Sequence, residues 1–303
     1  MPVTAAGRLA PVGAHVPTAG GLARSALPYV DSAGAEVAQV FVSNPRSWTR
    51  HPGVPAQDEA YLAAGIPTYV HASLLVNLGS PTPETVERSA ATLAHALQRG
   101  AALGARGVVF HAGSAVSVDR LGRALDQVRS ALVPLLDRAA SLGWPRLLVE
   151  PSAGGGHSLV ARVEQLGPYL DAVGRHPWLG VCFDTCHAWA AGHDLATPGG
   201  MTATLDLLVA TVGADRLWLV HANDSRDACG SARDRHENIG KGTLGAAAFA
   251  ELMAHPATAG VPVVVETPST GSAGHAADIA FLKDLRARGD RAGRPRARRR
   301  SRS

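Results

Sequence analysis

The 303 residues, 46% hydrophobic and 18% charged, supply enough apolar material for a sizeable core and suit a one-domain α/β barrel. No apolar run approaches the roughly eighteen residues that a membrane span needs, and no basic segment followed by an apolar one opens the chain, so the expectation is a cytoplasmic protein with no membrane association. The net charge of +4 is unevenly spread: residues 286–303 hold nine arginines against Asp290, a net of +8, which leaves −4 on residues 1–285.

A first strand is expected within residues 8–16, followed by a helical pattern over 21–34 and a second strand at 37–44. After a Pro/Gly-rich piece, only a short helical candidate, 58–65, precedes the third strand at 67–74. Apolar residues recur at helical spacing over 82–104, where Glu84 and Glu87 behind Thr82 suit the positive end of a helix. Strands at 106–113, 146–151, 179–185 and 216–220 alternate with helices at 117–142, 158–173 and 202–212. A long polar loop, 221–242, then leads to a helix near 246–253, the eighth strand at 261–266 and a last helix at 275–288. Eight short apolar strands alternating with helices predict a (β/α)8 TIM barrel in one domain, residues 1–285, rather than a doubly wound open sheet. Residues 286–303 lack apolar periodicity and read as a disordered arginine-rich tail, either a solvated extension or an electrostatic hold on nucleic acid.

The chemistry collects at the strand ends. The third to eighth strands end at His71, His111, Glu150, Asp184, His221 and Glu266, and in a parallel barrel these ends converge on the face where such enzymes keep their active sites. One strand ending in histidine means little, since a satisfied core histidine is the commoner case. Six buried acids and imidazoles together need compensating charge, and no Lys or Arg lies in these ends to give it. Divalent cations would. The loops add His187, three residues past Asp184, and the Asp234/His236 pair, making five histidines and four carboxylates, enough for up to three ions with positions left open for water. Asp224 is a further candidate in the long loop. Nitrogen and carboxylate donors favour catalytic zinc or manganese. Cys182, Cys186 and Cys229 are too few for a disulfide framework and are expected to pack in the core or point away from the metals.

Three segments, FDTCHAWAAGHDL (183–195), HANDSRDACGSARDRHENIGKG (221–242) and VVVETP (263–268), resemble the signature segments of the endonuclease IV family of apurinic/apyrimidinic endonucleases. VGAHVPTAGGL, QVFVSNPRSW, VHASLLVNLGSP, VVFHAG and LLVEPSAGGG agree with the same family, so the likeness extends over residues 12–285. The resemblance implies a monomeric, three-zinc barrel of base excision repair, with manganese an option at one site. Such an enzyme cuts duplex DNA 5′ to an abasic site, leaving a 3′-hydroxyl and a 5′-deoxyribose phosphate. It assigns His71, His111 and Glu150 to one ion, has Glu150 bridge to a second held by Asp184, His221 and Glu266, and gives His187, Asp234 and His236 the third. Glu150, Asp184 and Glu266 would be the catalytic carboxylates around a bridging water whose pKa falls toward roughly 7. Asp224 matches no ligand position and is left to brace the loop or orient a ligand.

By the same resemblance Arg46 enters the DNA beside the abasic nucleotide, and Leu74 and Asn77 lie in a DNA-facing loop; Arg235 and Lys241 are expected phosphate contacts. The chain departs from the family at Leu74, where tyrosine is common; leucine can wedge apolar bulk into a duplex but stacks poorly. The stretch between Trp48 and His71 is also short, which predicts a trimmed second helix. The alternative within enzymes is a metal-dependent sugar isomerase or epimerase of the related barrel type, which needs one or two ions and would leave His187, Asp234 and His236 idle. A catalytically silent DNA-binding protein would have no use for a full ligand set.

Overall fold

The computed structural model describes residues 9–269 and 272–293. Its strands are β1 (Val12–His15), β2 (Ala38–Phe41), β3 (Thr68–His71), β4 (Gly107–His111), β5 (Arg146–Glu150), β6 (Leu179–Asp184), β7 (Leu217–His221) and β8 (Val263–Val265). All pair in parallel and close into a barrel in the order β1-β8-β7-β6-β5-β4-β3-β2, the predicted (β/α)8 TIM barrel. The strands are short runs of Val, Leu and aromatic residues buried on both faces, as parallel strands covered by helices must be.

The helices are α1 (Leu27–Ala33), α2 (Pro55–Ala63), α3 (Pro83–Ala102), α4 (Leu121–Leu142), α5 (Leu166–Ala172), α6 (Thr185–Ala190), α7 (Gly200–Val212), α8 (Gly245–Ala254) and α9 (Ser272–Gly293). α2 spans nine residues. α5 begins later than the expected 158, because Ser158 pairs with Ser114 in an antiparallel bridge and the Leu159 N–H donates to Gly113 O. Among the described residues no helix is long and apolar enough to cross a membrane.

Two findings correct the sequence reading. The expected tail starts at Arg286, yet α9 continues to Gly293, and the Arg286 guanidinium donates to Glu36 Oε2 at 2.7 Å and to the Ala10 carbonyl at 2.6 Å. Residues 286–293 therefore belong to the helical layer; the rest of the expected tail, 294–303, lies outside the described residues. A short helix that the sequence reading did not place, α6, follows Asp184 directly and carries His187. Asp184 starts α6 by accepting the His187 N–H at 2.9 Å, the ordinary way a carboxylate satisfies a free amide at a helix start.

Strand periodicity places the site. Val37, Tyr69, Val109, Leu148, Cys182, Leu219 and Val264 form a separate buried cluster, one residue from each strand path but β1. Side chains two apart along a strand share a face, so the next residue above each of these is Gln39, His71, His111, Glu150, Asp184, His221 and Glu266. On β1 the corresponding pair is Gly13 and His15. Gly13 is required there: a Cβ would stand 1.7 Å from the Val37 carbonyl oxygen. The barrel thus caps its apolar interior with eight polar side chains at the carboxyl ends of its strands.

Candidate metal centre

All nine sequence-predicted ligands come together at this end. Donor atoms of His71, His111 and Glu150 lie within 4.8 Å of one another, as do those of Asp184, His221 and Glu266, and those of Asp184, His187 and His236. Asp234 joins the last group from its loop, with Oδ2 3.2 Å from His187 Nε2 and Oδ1 3.0 Å from His236 Nε2. Glu150 sits at the centre. Its Oε1 is 2.9 Å from His221 Nδ1 and 3.3 Å from His187 Nδ1, and its Oε2 is 3.4 Å from both His71 Nε2 and His111 Nε2.

These residues fit cations better than they fit each other. Glu150 Oε2 and His236 Nε2 are buried and make no hydrogen bond, although imidazole or carboxylate partners stand within 3.4 Å. A buried polar atom left unbonded among potential partners costs free energy that a shared ion removes. Three rings are also turned for ligation: His71, His187 and His236 direct Nδ1 at the backbone carbonyls of Ala72 (2.8 Å), Pro151 (3.0 Å) and Glu266 (3.1 Å), which leaves each Nε2 lone pair facing the carboxylates.

Without cations the two kinds of group charge each other. Burial alone would lower the histidine pKa values, but Asp184, Asp234 and Glu150 outweigh it and hold His187 well above its ordinary value. Asp234 and Asp184 likewise raise His236 to about 9 against the same burial. Burial pushes Glu150 up, and the surrounding imidazoles of His221, His111 and His187 pull it well below the ordinary carboxylate range. Cys182 and Cys186 do pack in the core, yet each brings its sulfur within 4.8 Å of site atoms. Burial pushes both thiols up to about 12 in the metal-free chain.

Asp224 is a brace. Its buried carboxylate accepts N–H bonds from Ser225, Gly240, Gly242 and Leu244 at 2.8–3.1 Å, which folds the long loop back on itself, and a Cβ on Gly242 would stand 2.4 Å from its Oδ1. A two-stranded ribbon, Asp224–Ser225 against His236–Glu237, then swings Asp234 and His236 over the barrel.

The DNA-facing candidates divide. Arg46 and Leu74, both exposed, line a cavity of about 440 Å³ with His71, His111, His187 and Glu266. Asn77, Arg235 and Lys241 do not. The Asn77 side-chain oxygen accepts the N–H groups of Gly79 and Ser114 and so ties the β3 loop to the β4 loop. Arg235 is held by a two-pronged ion pair with Asp227, and Lys241 borders a separate groove with Glu237 and Asn238.

The sequence reading missed three residues. His15 Nδ1 lies 3.0 Å from Glu266 Oε1; Gln39 donates to the same oxygen at 2.6 Å; Asn223 donates to Asp184 Oδ2 at 2.8 Å and accepts the Glu266 N–H. His15 had a signal, since it too ends a strand. Gln39 had a weaker one, a lone amide in the apolar run AQVF.

A family description, the xylose isomerase-like TIM barrel, matches residues 27–285. The chain is 55% identical over 280 residues, 91% of its length and 95% of the relative's, to probable endonuclease 4 of Streptomyces coelicolor. It is similar to the crystal structure of endonuclease IV from Thermus thermophilus, with a TM-score of 0.79 and 34% identity over 92% of this chain and 99% of that one. A D-tagatose 3-epimerase-like protein shares the fold at a TM-score of 0.70 and 16% identity, covering 93% of this chain and 99% of the other.

Proposed function

Because this chain belongs to the endonuclease IV family, a family of hydrolytic nucleases, we propose that it acts on duplex DNA at abasic sites. It hydrolyses the phosphodiester on the 5′ side, leaving a 3′-hydroxyl and a 5′-deoxyribose phosphate, with three zinc ions per chain; the donors at one site would also accept manganese. The observation that carries the reading is the third ligand group. His187, Asp234 and His236 converge from α6 and the long loop beside the other six ligands, and a sugar isomerase or epimerase would have no use for them. The likeness to epimerase barrels is of the fold alone.

His71, His111 and Glu150 would hold one ion, Glu150, Asp184, His221 and Glu266 a second, and His187, Asp234 and His236 the third. When bound, the ions supply an activated water and positive charge against the phosphate oxygens. The chain supplies the geometry. Glu150, fully buried among four imidazoles, fixes the spacing of the ligand groups, while Asn223 and Gln39 hold Asp184 and Glu266 at set angles. Residues 1–293, at −2 once Arg286, Arg288, Arg291 and Asp290 are added to the −4 of residues 1–285, would not draw DNA; with +6 held at the mouth the balance becomes about +4 and the site attracts a phosphodiester. Arg46 and Leu74, at the rim, would enter the duplex beside the missing base, with Arg235 and Lys241 left to contact phosphates farther along. The reading carries with it a monomer working on chromosomal DNA in the cytoplasm.

Elemental analysis of the purified chain, together with end-group analysis of a cleaved abasic duplex, tests this. Close to three zinc per chain and a 3′ end that a polymerase extends directly are expected. One manganese per chain with turnover of a ketose would contradict it.

A further inference from the structure

One ligand ring is turned the other way, and a side chain rather than the backbone holds it. His71, His187 and His236 lean Nδ1 on carbonyl oxygens, but His221 points Nδ1 into the cluster and Nε2 outward, 2.9 Å from Gln39 Oε1. We propose that Gln39 is a positioning residue that selects the His221 tautomer and couples it to Glu266; the inference rests on the three-zinc reading above.

The network fixes the proton without reference to hydrogen positions. Gln39 Nε2 stands 2.6 Å from Glu266 Oε1, and an ionised carboxylate can only accept, so the amide nitrogen must be the end that faces it. A flipped amide would set oxygen against oxygen at that distance. Gln39 Oε1 therefore faces His221 Nε2, and since an amide oxygen can only accept, Nε2 carries the hydrogen. The Nδ1 lone pair is then left looking at Glu150 Oε1 (2.9 Å), Glu266 Oε2 (3.3 Å) and Asp184 Oδ2 (3.8 Å). Three carboxylate oxygens around one lone pair repel it unless they share a cation. Gln39 is wholly buried and spans His221 and Glu266, two ligands of the same proposed ion, so one amide sets the angle of both. Outer partners of this kind typically change metal affinity by about 10- to 100-fold when removed.

Gln39→Met keeps the length and removes donor and acceptor. In the full zinc-loaded chain, long-range proton–nitrogen NMR should show His221 bearing hydrogen on Nε2 and zinc on Nδ1, the reverse of His71, His187 and His236. In Gln39→Met, chelator competition should show one of three zinc ions bound about 10- to 100-fold more weakly, the other two unchanged, and the His221 nitrogen pattern altered. A variant with three ions at wild-type affinity and an unaltered pattern would overturn the proposal. Should the variant fail to fold, the wild-type spectrum decides: hydrogen on Nδ1 of His221 with zinc on Nε2 also overturns it. A wild-type chain that binds no zinc would refute the proposed function itself, and this inference with it.

Discussion

Replacing Glu150 by glutamine removes one negative charge from the centre of the site while keeping its shape. Both oxygens face imidazoles: four ring nitrogens lie within 3.4 Å, and the residue has no exposure to solvent that could replace the lost charge. At an effective dielectric of about 20, a unit charge pair about 4 Å apart is worth about 4 kcal/mol, roughly a thousandfold in affinity. Two proposed ions share this carboxylate, so each should bind at least about a thousandfold more weakly. The fold should survive, since the metal-free imidazoles can escape the loss of their counter-charge by giving up protons. The assay is single-turnover incision of a duplex carrying one tetrahydrofuran abasic analogue, with zinc content and circular dichroism measured on the same preparation. Incision should fall by at least about a thousandfold with loss of zinc and an unchanged spectrum. A variant that retains three zinc and cuts within about tenfold of wild type, about 1.4 kcal/mol, would refute the shared-carboxylate reasoning.

The metal-free chain should have its own pH signature. His236 is raised to about 9 from 6.5, so its contribution is fully present below 6.5 and is lost as pH rises through about 9. Glu150, Glu266 and Asp234 are lowered, so theirs is present above 4.5 and is lost as pH falls toward their depressed folded values. The melting temperature without metal should therefore peak between 4.5 and 6.5 and fall by pH 9, whereas zinc, which competes with protons for the histidines, should reverse the trend above 6.5; a metal-free chain that grows more stable from pH 6.5 to 9 would contradict this. Leu74 is 42% exposed at the mouth, and Leu74→Tyr should tighten binding to an abasic over an intact duplex by about 1–3 kcal/mol, read by fluorescence anisotropy. An unchanged preference would count against a stacking role at this position. Deleting residues 294–303, with six arginines, should flatten the salt dependence of DNA binding by about 0.9 in slope for each arginine that neutralises a phosphate, at constant melting temperature. Arg286→Ala, which loses Glu36 and the Ala10 carbonyl, should instead cost about 1 kcal/mol of stability and leave the slope alone.

The barrel and the ring of ligands were legible because both follow from strand periodicity, which is a local property. Six of the eight apolar strands end on the residue that caps the interior and Glu266 follows β8 directly, so a His, Asp or Glu there is visible in the chain itself. Gln39 escaped notice because an amide is not among the usual ligands of catalytic zinc; its meaning lies in Glu266 and His221, which reach it only across the barrel. α6, six residues long, is too short to show a helical period and depends on the Asp184 carboxylate that starts it. The ribbon that carries His236 has two residues per strand, and Asp224 could be read as a brace for the loop, but not which amides it gathers, since Gly240 and Gly242 reach it only through the folded turn. The end of the folded domain was set too early, at 285, because Arg286 is held by Glu36, a partner 250 residues away in sequence.

The most direct test of the central claim is the zinc dependence of abasic-site incision by the full chain. Zinc-loaded protein should cut the tetrahydrofuran duplex once, on the 5′ side of the analogue, stop when stripped by a chelator, and recover when zinc is restored. An intact duplex at the end of the reaction, or cutting that the chelator leaves unchanged, would contradict the account.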